Sequence, residues 1–264
     1  MNEFKFKKKY GQNFIRDENL INKIVNSAEI SKESLVIEIG PGMGALTTKI
    51  LDKCKHGIIY EIDTELKDFL EQKLKKYDNY ELIFQDFLTA DIKEITKKYN
   101  YKELLIVANL PYYITTPIIK KIIEEDILAN KIVIMIQKEV ADRFSAKVNT
   151  KDYSSLTVFL NYHYEIKKLF NVSKNMFYPK PDVDSSVILM SKKTEKENIK
   201  DINVFNKFVK DCFKYKRKNL RNNLKEYDLE KIELILKKYN LSLNSRAENL
   251  PLSVFIEISN SISI

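Results

Sequence analysis

A short apolar run in the middle of the chain ends in residues that are unusual for a buried strand. Leu104–Ala108 is followed directly by Asn109, Leu110, Pro111 and Tyr112. An amide side chain both donates and accepts hydrogen bonds, and a proline-stiffened turn would point the Leu110 carbonyl into the same pocket. Two acceptors of this kind could hold an amine on a flat ring while Tyr112 offers its ring face, so that positioning and electrostatics favour transfer of a group to the amine. A turn-forming Asn-x-Pro followed by core tyrosines is the alternative interpretation.

A glycine-rich turn lies earlier in the chain. Gly40, Gly42 and Gly44 are three of only five glycines, and they separate a predicted strand from a predicted helix. Such a turn lets the backbone approach a ligand closely, with helix N–H groups beyond it. The spacing is not the dinucleotide fingerprint, because position 45 is alanine.

Acidic residues stand at the ends of successive predicted strands. Glu38 precedes the glycine turn, Glu61 ends the next strand, where a carboxylate can hold a ribose diol, and Asp86 follows the third, where it could accept from an adenine amine. Each acid alone could be a solvated or helix-capping carboxylate. As an ordered set with the turn, Glu61 and Asp86 indicate an adenosine-containing ligand without a pyrophosphate, and S-adenosylmethionine fits better than NAD.

These residues require strands that end at one edge of a sheet. Apolar runs predict strands at 35–39, 57–62, 80–84, 104–108 and 131–137. Helical patterns start near Asp17, near Gly44, after Thr64 as N-cap, and at Thr116, with Pro117 tolerable in the first turn. The alternation predicts an α/β, Rossmann-like fold with a mostly parallel sheet covered on both faces.

The pattern changes after about residue 190. The segment SKKTEKENIKD is charged and resembles a linker, and only helical patterns follow from about Val204, in VFNKFVKDCFKYKRKNLRNNL, DLEKIELILKKY and SVFIEIS. We therefore expect two domains, 1–195 with the α/β fold and 196–264 as a small all-α domain.

The amino-acid composition limits which binding partners and which cellular compartment suit this chain. The 264 residues carry 45 Lys and Arg against 37 Asp and Glu, a formal charge of +8. This excess fits a polyanion such as nucleic acid or an anionic membrane surface, although a lysine-rich composition without such a partner is the alternative. Two cysteines without a CxxC argue against a disulfide framework or a structural zinc site. The chain start lacks a secretory h-region, and we expect a reducing, cytoplasmic setting.

Eight stretches that run in order over nearly all of residues 8–190 resemble the bacterial-type small-subunit (16S) rRNA adenine dimethyltransferases, the kasugamycin-sensitivity enzymes. They are GQNF (11–14), EIGPGMGALT (38–47), YEID (60–63), QDFL (85–88), ANLPYYITTPI (108–118), QKEVADR (137–143), YSSL (153–156) and MFYPKPDVDSSV (176–187). The C-terminal helices fit the family's small domain more loosely. The resemblance implies N6,N6-dimethylation, with S-adenosylmethionine, of two adjacent adenosines in a hairpin near the 3′ end of small-subunit rRNA. The implied partner is the immature small ribosomal subunit, and the implied enzyme is a monomer.

The resemblance also assigns residues by position. Residues expected to line the cofactor site are Asn13, Ile15, Gly40, Gly42, Glu61, Ile62, Asp86, Phe87 and Asn109. Residues expected at the methylated base are Asn109, Leu110, Pro111, Tyr112 and Phe177. Phe177 would stack on the extruded base opposite Tyr112, because chemistry on a base requires taking it out of its stack. The alternative is that Phe177 is a core residue. No metal site is expected.

Two basic clusters could hold the RNA backbone. Lys7, Lys8 and Lys9 lie near the start of the chain. On a predicted helix, Lys214, Lys218 and Arg221 share a stripe, beside a stripe of Phe213, Leu220 and Leu224 that can face the core. A solvated lysine face is the alternative.

Three other functions remain open at this point. A large-subunit rRNA adenine methyltransferase of the macrolide-resistance type resembles the same pattern, but typically has Ile after the Asn where this chain has Leu110. A DNA adenine methyltransferase more often has Pro-Pro at that place. A ribosome-assembly or transcription factor in which methylation is dispensable belongs to a different class.

Overall fold

The computed structural model describes residues 14–15, 17–127 and 129–262. Within them the chain divides into two compact units. The first comprises the described residues up to Ala141 together with Lys167–Lys192, and the second comprises Asp142–Ile166 and the residues from Lys193 onward. The expected single boundary near residue 195 differs from this division. Residues 142–166 join the C-terminal part because Tyr153 and Val158 are buried in its core.

One large sheet forms the frame of the first unit. The strands are β1 (Phe14–Ile15), β2 (Ser34–Ile39), β3 (His56–Glu61), β4 (Tyr80–Phe84), β5 (Glu103–Asn109), β6 (Lys131–Gln137), β7 (Tyr164–Val172), β8 (Phe177–Tyr178) and β9 (Ser185–Lys192). The sheet order is β4-β3-β2-β5-β6-β9-β7, and β1 pairs separately with β8. Strands β2 to β6 are parallel and β9 is antiparallel to β6, so the predicted mostly parallel sheet is confirmed. Strands β7 and β9 were not predicted.

Helices connect and cover these strands. They are α1 (Glu18–Ser27), α2 (Ala45–Leu51), α3 (Lys67–Leu74), α4 (Ile92–Thr96), α5 (Thr115–Glu124), α6 (Lys138–Phe144), α7 (Ser155–His163), α8 (Ile202–Cys212), α9 (Leu220–Asn223), α10 (Leu229–Lys238) and α11 (Leu252–Ser261). Helix α1 starts next to Asp17, as predicted, and Asp17 caps it, since its Oδ1 accepts from the Leu20 N–H at 2.7 Å. The prediction of Thr64 as an N-cap is wrong. Asp63 caps a 3₁₀ turn at Thr64–Leu66, because its carboxylate accepts from the Glu65 N–H, and α3 begins only afterwards.

Both faces of the sheet are covered, as predicted. Every residue of β2 is buried. Val36 packs in one cluster with Ile24 of α1 and Ile50 of α2. Leu35 and Ile37 point to the opposite face, because side chains alternate along a strand, and they too are inaccessible to solvent. A strand buried on both sides explains its nearly continuous apolar sequence.

The sheet order creates a crevice at one edge. The chain proceeds from β2 to β3 on one side and later returns to place β5 on the other side of β2. The carboxyl ends of β2, β3 and β5 therefore lie side by side, with connections that leave in opposite directions. Open α/β sheets bind ligands at such a switch point.

The second unit has its own helical core, which includes Phe205, Phe208, Leu236 and Phe255. Nowhere in the described residues is there a helix long and apolar enough to cross a membrane. The two cysteines, Cys54 and Cys212, are buried free thiols.

A continuous helix through residues 204–224 was expected in the second unit, and this prediction is wrong. Helix α8 ends at Cys212 and α9 begins only at Leu220. The Asn223 side chain explains the break, because its Nδ2 donates to the Cys212 carbonyl at 2.7 Å and its Oδ1 accepts from the Tyr215 N–H at 3.1 Å. These bonds satisfy backbone groups that a longer helix would have paired.

Candidate active site

The glycine turn folds over the carboxyl ends of β2 and β3. Gly40 and Gly42 have φ values of +69° and +55°, in the left-handed region that L residues avoid. The Gly40 N–H donates to the Tyr60 carbonyl at 2.8 Å. A Cβ at Gly42 would come within 2.6 Å of the Phe14 ring, whereas a Cβ at Gly40 would meet nothing within 4 Å. The turn therefore needs glycine for its conformation and, at Gly42, for its packing.

Glu61 ends β3 beneath this turn and is bound by main-chain donors. Its Oε2 accepts from the Gly42 N–H at 3.1 Å, and its Oε1 accepts from the Asp63 N–H at 2.8 Å. Burial raises the pKa of this carboxyl, and the two N–H groups oppose that rise. Each carboxylate oxygen has a further lone-pair direction, so Glu61 can accept additional hydrogen bonds from a diol.

Glu38 is a buried acid inside an otherwise apolar strand. Its side chain lines the same cavity and lies against Thr47 of α2. Burial raises the pKa of Glu38 to about 8, helped by the nearby Glu61 and opposed by Thr47 and Lys73. Among the described residues, neither Glu38 Oε2 nor Thr47 Oγ1 has a hydrogen-bond partner of acceptable geometry.

The stretch from Asn109 to Tyr112 leaves β5 toward the cavity. The Leu110 N–H donates to the Met135 carbonyl of β6 at 3.1 Å, and the Pro111 carbonyl accepts from the Ile114 N–H at 3.2 Å. These bonds fix the turn at both ends. The Tyr112 hydroxyl and the Ser185 hydroxyl lie 2.7 Å apart, so Tyr112 is held by the first residue of β9.

Phe177 reaches the cavity from a separate two-stranded ribbon. In this β1–β8 pair, Ile15 lies opposite Phe177 and Phe14 lies opposite Tyr178. Phe177 lines the cavity, yet it is only 6% exposed and packs with Val172 and Val187 in the hydrophobic core. Phe177 is therefore a core residue that also forms part of the cavity wall, and its stacking on a base stays a prediction.

A single cleft brings most of the predicted site residues together. About 810 Å³ of space not filled by protein atoms lies in and in front of it, open solvent included. The predicted residues that line it are Ile15, Gly40, Gly42, Glu61, Ile62, Asn109, Leu110, Pro111, Tyr112 and Phe177. Residues that line it but were absent from the predicted set include Phe14, Glu38, Met43 and Tyr113. A charge in an apolar strand was the available signal for Glu38.

Two predicted cofactor residues stand outside this lining. Asp86 follows β4, and its Oδ1 accepts from the Leu88 N–H at 2.9 Å. Phe87 is buried with its ring edge-on to Tyr60, at 5.5 Å between centroids. Because β4 neighbours β3, both residues lie at the same sheet edge, beyond Glu61.

The predicted RNA-binding residues are not part of this cleft. Lys7, Lys8 and Lys9, like the cofactor residue Asn13, lie outside the described residues. Lys214, Lys218 and Arg221 are exposed in the second unit. They lie in and just after the turn between α8 and α9 and therefore do not form the predicted helical stripe. The apolar part of that prediction is confirmed for Leu220 and Leu224, which are fully buried.

Sequence comparison identifies relatives over almost the whole chain. The profile of the family described as ribosomal RNA adenine dimethylase matches residues 3–263. A protein of Mycoplasma mobile called ribosomal RNA small subunit methyltransferase A is 46% identical over 251 residues, which cover 95% of each chain. A protein of the same name from Clostridium botulinum is 41% identical over 263 residues, covering 98% of this chain and 95% of the relative.

Structural comparison identifies the same architecture in solved structures. A dimethyladenosine transferase from Plasmodium falciparum superposes with a TM-score of 0.77 and 25% identity, covering 93% of this chain and 95% of that one. The 23S rRNA methyltransferase ErmE superposes with a TM-score of 0.75 and 26% identity, covering 94% and 98%. The fold thus matches both a dimethyladenosine transferase and a 23S rRNA methyltransferase, whereas the relatives of higher sequence identity are called small subunit methyltransferases.

Proposed function

We propose, since this chain belongs to the ribosomal RNA adenine dimethylase family, that it is the enzyme that N6,N6-dimethylates adenosine in small-subunit (16S) rRNA. Relatives with this name cover nearly all of the chain at 41–46% identity. The proposed substrate is a pair of adjacent adenosines in the 3′-terminal hairpin of the rRNA in an immature small subunit. A monomeric enzyme in the cytoplasm is proposed, and S-adenosylmethionine is the proposed methyl donor.

The observation that carries this proposal is the position of Asn109. It ends β5 in the same cleft as the glycine turn and Glu61, beside Tyr112. A methyl acceptor held at Asn109 would thus lie close to a donor held by the turn. The short separation converts a bimolecular reaction into an effectively unimolecular one.

The cleft fits the methyl donor on three points. Glu61 has lone pairs for a ribose diol, Gly40 leaves space where a side chain would otherwise stand, and Ile62 offers an apolar wall that is 38% exposed. Asp86 and Phe87 stay proposed contacts for the adenine end, and Asn13 and Ile15 stay proposed cofactor contacts. When bound, the donor supplies an electrophilic methyl group on a positively charged sulfur.

The residues after β5 would activate the amine of the target base. The lone pair of an exocyclic amine is conjugated into the ring, which makes it a poor nucleophile. Acceptance of its two hydrogens by Asn109 Oδ1 and the Leu110 carbonyl would favour a more tetrahedral nitrogen with a freer lone pair. These two acceptors would hold the amine toward the methyl group that a bound donor would supply, and the methylated amine would release its proton to water.

The walls around Asn109 suit an extruded base. Tyr112, Pro111 and Phe177 all line the cleft. Stacking on aromatic rings offsets part of the cost of taking a base out of a helix, about 1–3 kcal/mol per base. The cationic residues Lys7, Lys8, Lys9, Lys214, Lys218 and Arg221 remain proposed contacts to phosphates, which position an RNA without specifying its sequence.

The test is methyl transfer from labelled S-adenosylmethionine to under-methylated small ribosomal subunits, with large subunits and duplex DNA as competitors. We expect nuclease digestion to release labelled N6,N6-dimethyladenosine from small subunits, and Asn109→Ala to abolish it while donor binding persists. Label in large-subunit RNA would refute the proposed substrate. Tight small-subunit binding without label would instead indicate an assembly factor that has lost the reaction.

A further inference from the structure

Among the described residues that line the cleft, Glu38 is the one acid that the proposed reaction leaves without a role. It is 2% exposed and belongs to the central strand, one residue before the end of β2. Within the described residues neither its Oε2 nor the neighbouring Thr47 Oγ1 forms a hydrogen bond of good geometry, although the Thr47 hydroxyl lies close enough to oppose the rise in the Glu38 pKa. Buried polar atoms are usually paired, so an unpaired carboxyl oxygen beside a ligand cleft calls for an explanation.

The groups that face Glu38 do not neutralise it. Glu61 on β3 adds a second negative charge, and Lys73 on α3 is the nearby cation that affects its titration. Lys73 Nζ, however, donates to the Met43 carbonyl at 2.6 Å, which holds it over the glycine turn. Cys54 has a raised pKa and stays a neutral thiol, and Thr47 is uncharged. A carboxylate at Glu38 therefore lacks a dedicated counter-ion among the described residues.

We propose that Glu38 distinguishes the methyl donor from the product, by ionising when the positively charged donor binds and taking up a proton again once the sulfur has become neutral. This inference rests on the proposed function, because it needs a donor and a product that differ by one positive charge. S-adenosylmethionine carries a sulfonium that S-adenosylhomocysteine lacks. The protonated form of Glu38 is compatible with the neutral sulfur of the product. The ionised form is electrostatically complementary to the positively charged sulfur of the donor.

The energetic argument follows from proton linkage. With a pKa of about 8 in the free protein, Glu38 is about nine-tenths protonated at pH 7. A cation bound nearby favours the ionised form and lowers this pKa, so the donor must bind with release of a proton to solvent. Transfer of the methyl group removes the sulfonium charge, and the carboxylate then recovers a proton. The enzyme thereby holds its donor more tightly than its product, which promotes exchange between two methylations.

The test is isothermal titration calorimetry of donor and product binding at pH 7, in buffers of different ionisation enthalpy. We expect S-adenosylmethionine to release as much as about 0.9 proton more from the wild-type enzyme than from Glu38→Gln, given the pKa of about 8. S-adenosylhomocysteine should show a much smaller difference. The comparison between enzymes removes the contribution of the ligand's own α-amino group, which titrates near pH 8.

The affinity itself gives an independent readout. Between pH 6 and pH 8, wild-type affinity for the donor should rise as much as about fifty-fold more than that of Glu38→Gln, if the pKa of about 8 falls below 6 in the complex. Equal pH profiles for both enzymes, or equal proton release by donor and product, would overturn the proposal. If Glu38→Gln does not fold, the difference in proton release between donor binding and product binding, measured on the wild-type enzyme, still tests the proposal. Absence of any donor binding to the wild type would instead count against the proposed function.

Discussion

Replacement of Gly40 by alanine separates the conformational role of the glycine turn from its role in ligand approach. At φ +69°, alanine pays for a left-handed backbone, about 1–2 kcal/mol. No atom lies within 4 Å of the added Cβ, so no steric cost adds to this in the free protein. We therefore expect the free energy of unfolding to fall by about 1–2 kcal/mol. The same methyl group would enter the cleft, where we expect the affinity for S-adenosylmethionine to fall at least about tenfold, or about 1.4 kcal/mol.

Gly44→Ala is the matched control. Its φ is +67°, nearly the same, but Gly44 does not line the cleft. Its added Cβ would lie 3.3 Å from Leu70 and 3.4 Å from Lys73, both flexible side-chain atoms. Denaturant unfolding should show similar losses for both variants, while calorimetry should show lost affinity only for Gly40→Ala. Wild-type affinity in Gly40→Ala, with the expected loss of stability, would refute the idea that backbone at this turn touches the donor.

The remaining predictions concern the base pocket, the basic turn and the pH dependence of stability. Phe177→Leu keeps an apolar core side chain but removes the aromatic face, so methylation should fall while donor affinity holds; equal losses in both would refute the stacking role. Ser185→Ala removes the partner of the half-buried Tyr112 hydroxyl and should cost about 0.5–1.5 kcal/mol of stability, measured by denaturant unfolding, and less when combined with Tyr112→Phe. Charge reversal at Lys218 and Arg221 should weaken RNA binding and flatten its salt dependence, and an unchanged salt slope would mean that these residues do not contact phosphate. Burial lowers the pKa of His56 below 6.5, so the unfolded chain binds this proton first; stability should fall as the pH drops below 6.5, and His56→Phe should reduce that loss in a pH series of thermal melts.

The parallel strands could be predicted from the sequence because their residues are apolar on both faces. The runs at 80–84 and 131–137 match β4 and β6 to the residue. Strand β9 was missed because its place depends on a partner distant in sequence, with Lys131 paired to Ser191 and Gln137 paired to Ser185. Such pairing is a tertiary property that a local pattern does not encode.

The end of helix α8 shows a second limit of local patterns. Residues 204–224 have helical periodicity throughout, yet the helix stops at Cys212. The carbonyl of Cys212 accepts a hydrogen bond from the side chain of Asn223, which lies eleven positions later. Asparagine competes for backbone hydrogen bonds in this way, but the sequence does not reveal which asparagine will do so. The expected stripe required one continuous helix. In the structure Lys214 and Lys218 lie in the turn between α8 and α9, and Arg221 lies in α9.

The order of these groups along the sheet edge also differs from their order in the sequence. Glu38, Glu61, Asp86 and Asn109 follow one another along the chain, but the sheet places their strands in the order β4, β3, β2, β5. Asp86 therefore lies at one end, Glu61 next, the glycine turn after it, and Asn109 at the other end.

Neighbouring strands are about 4.8 Å apart, so three spacings span roughly 14 Å between the strand that precedes Asp86 and the strand that ends in Asn109. An extended adenosine-containing donor with its adenine toward Asp86 and its ribose at Glu61 would present its far end to the glycine turn. The acceptor at Asn109 would then stand one strand beyond. The reversal of strand order between β2 and β5 would thus bring the proposed donor and acceptor sites next to each other, so that residues predicted separately from four strand ends could belong to one reaction.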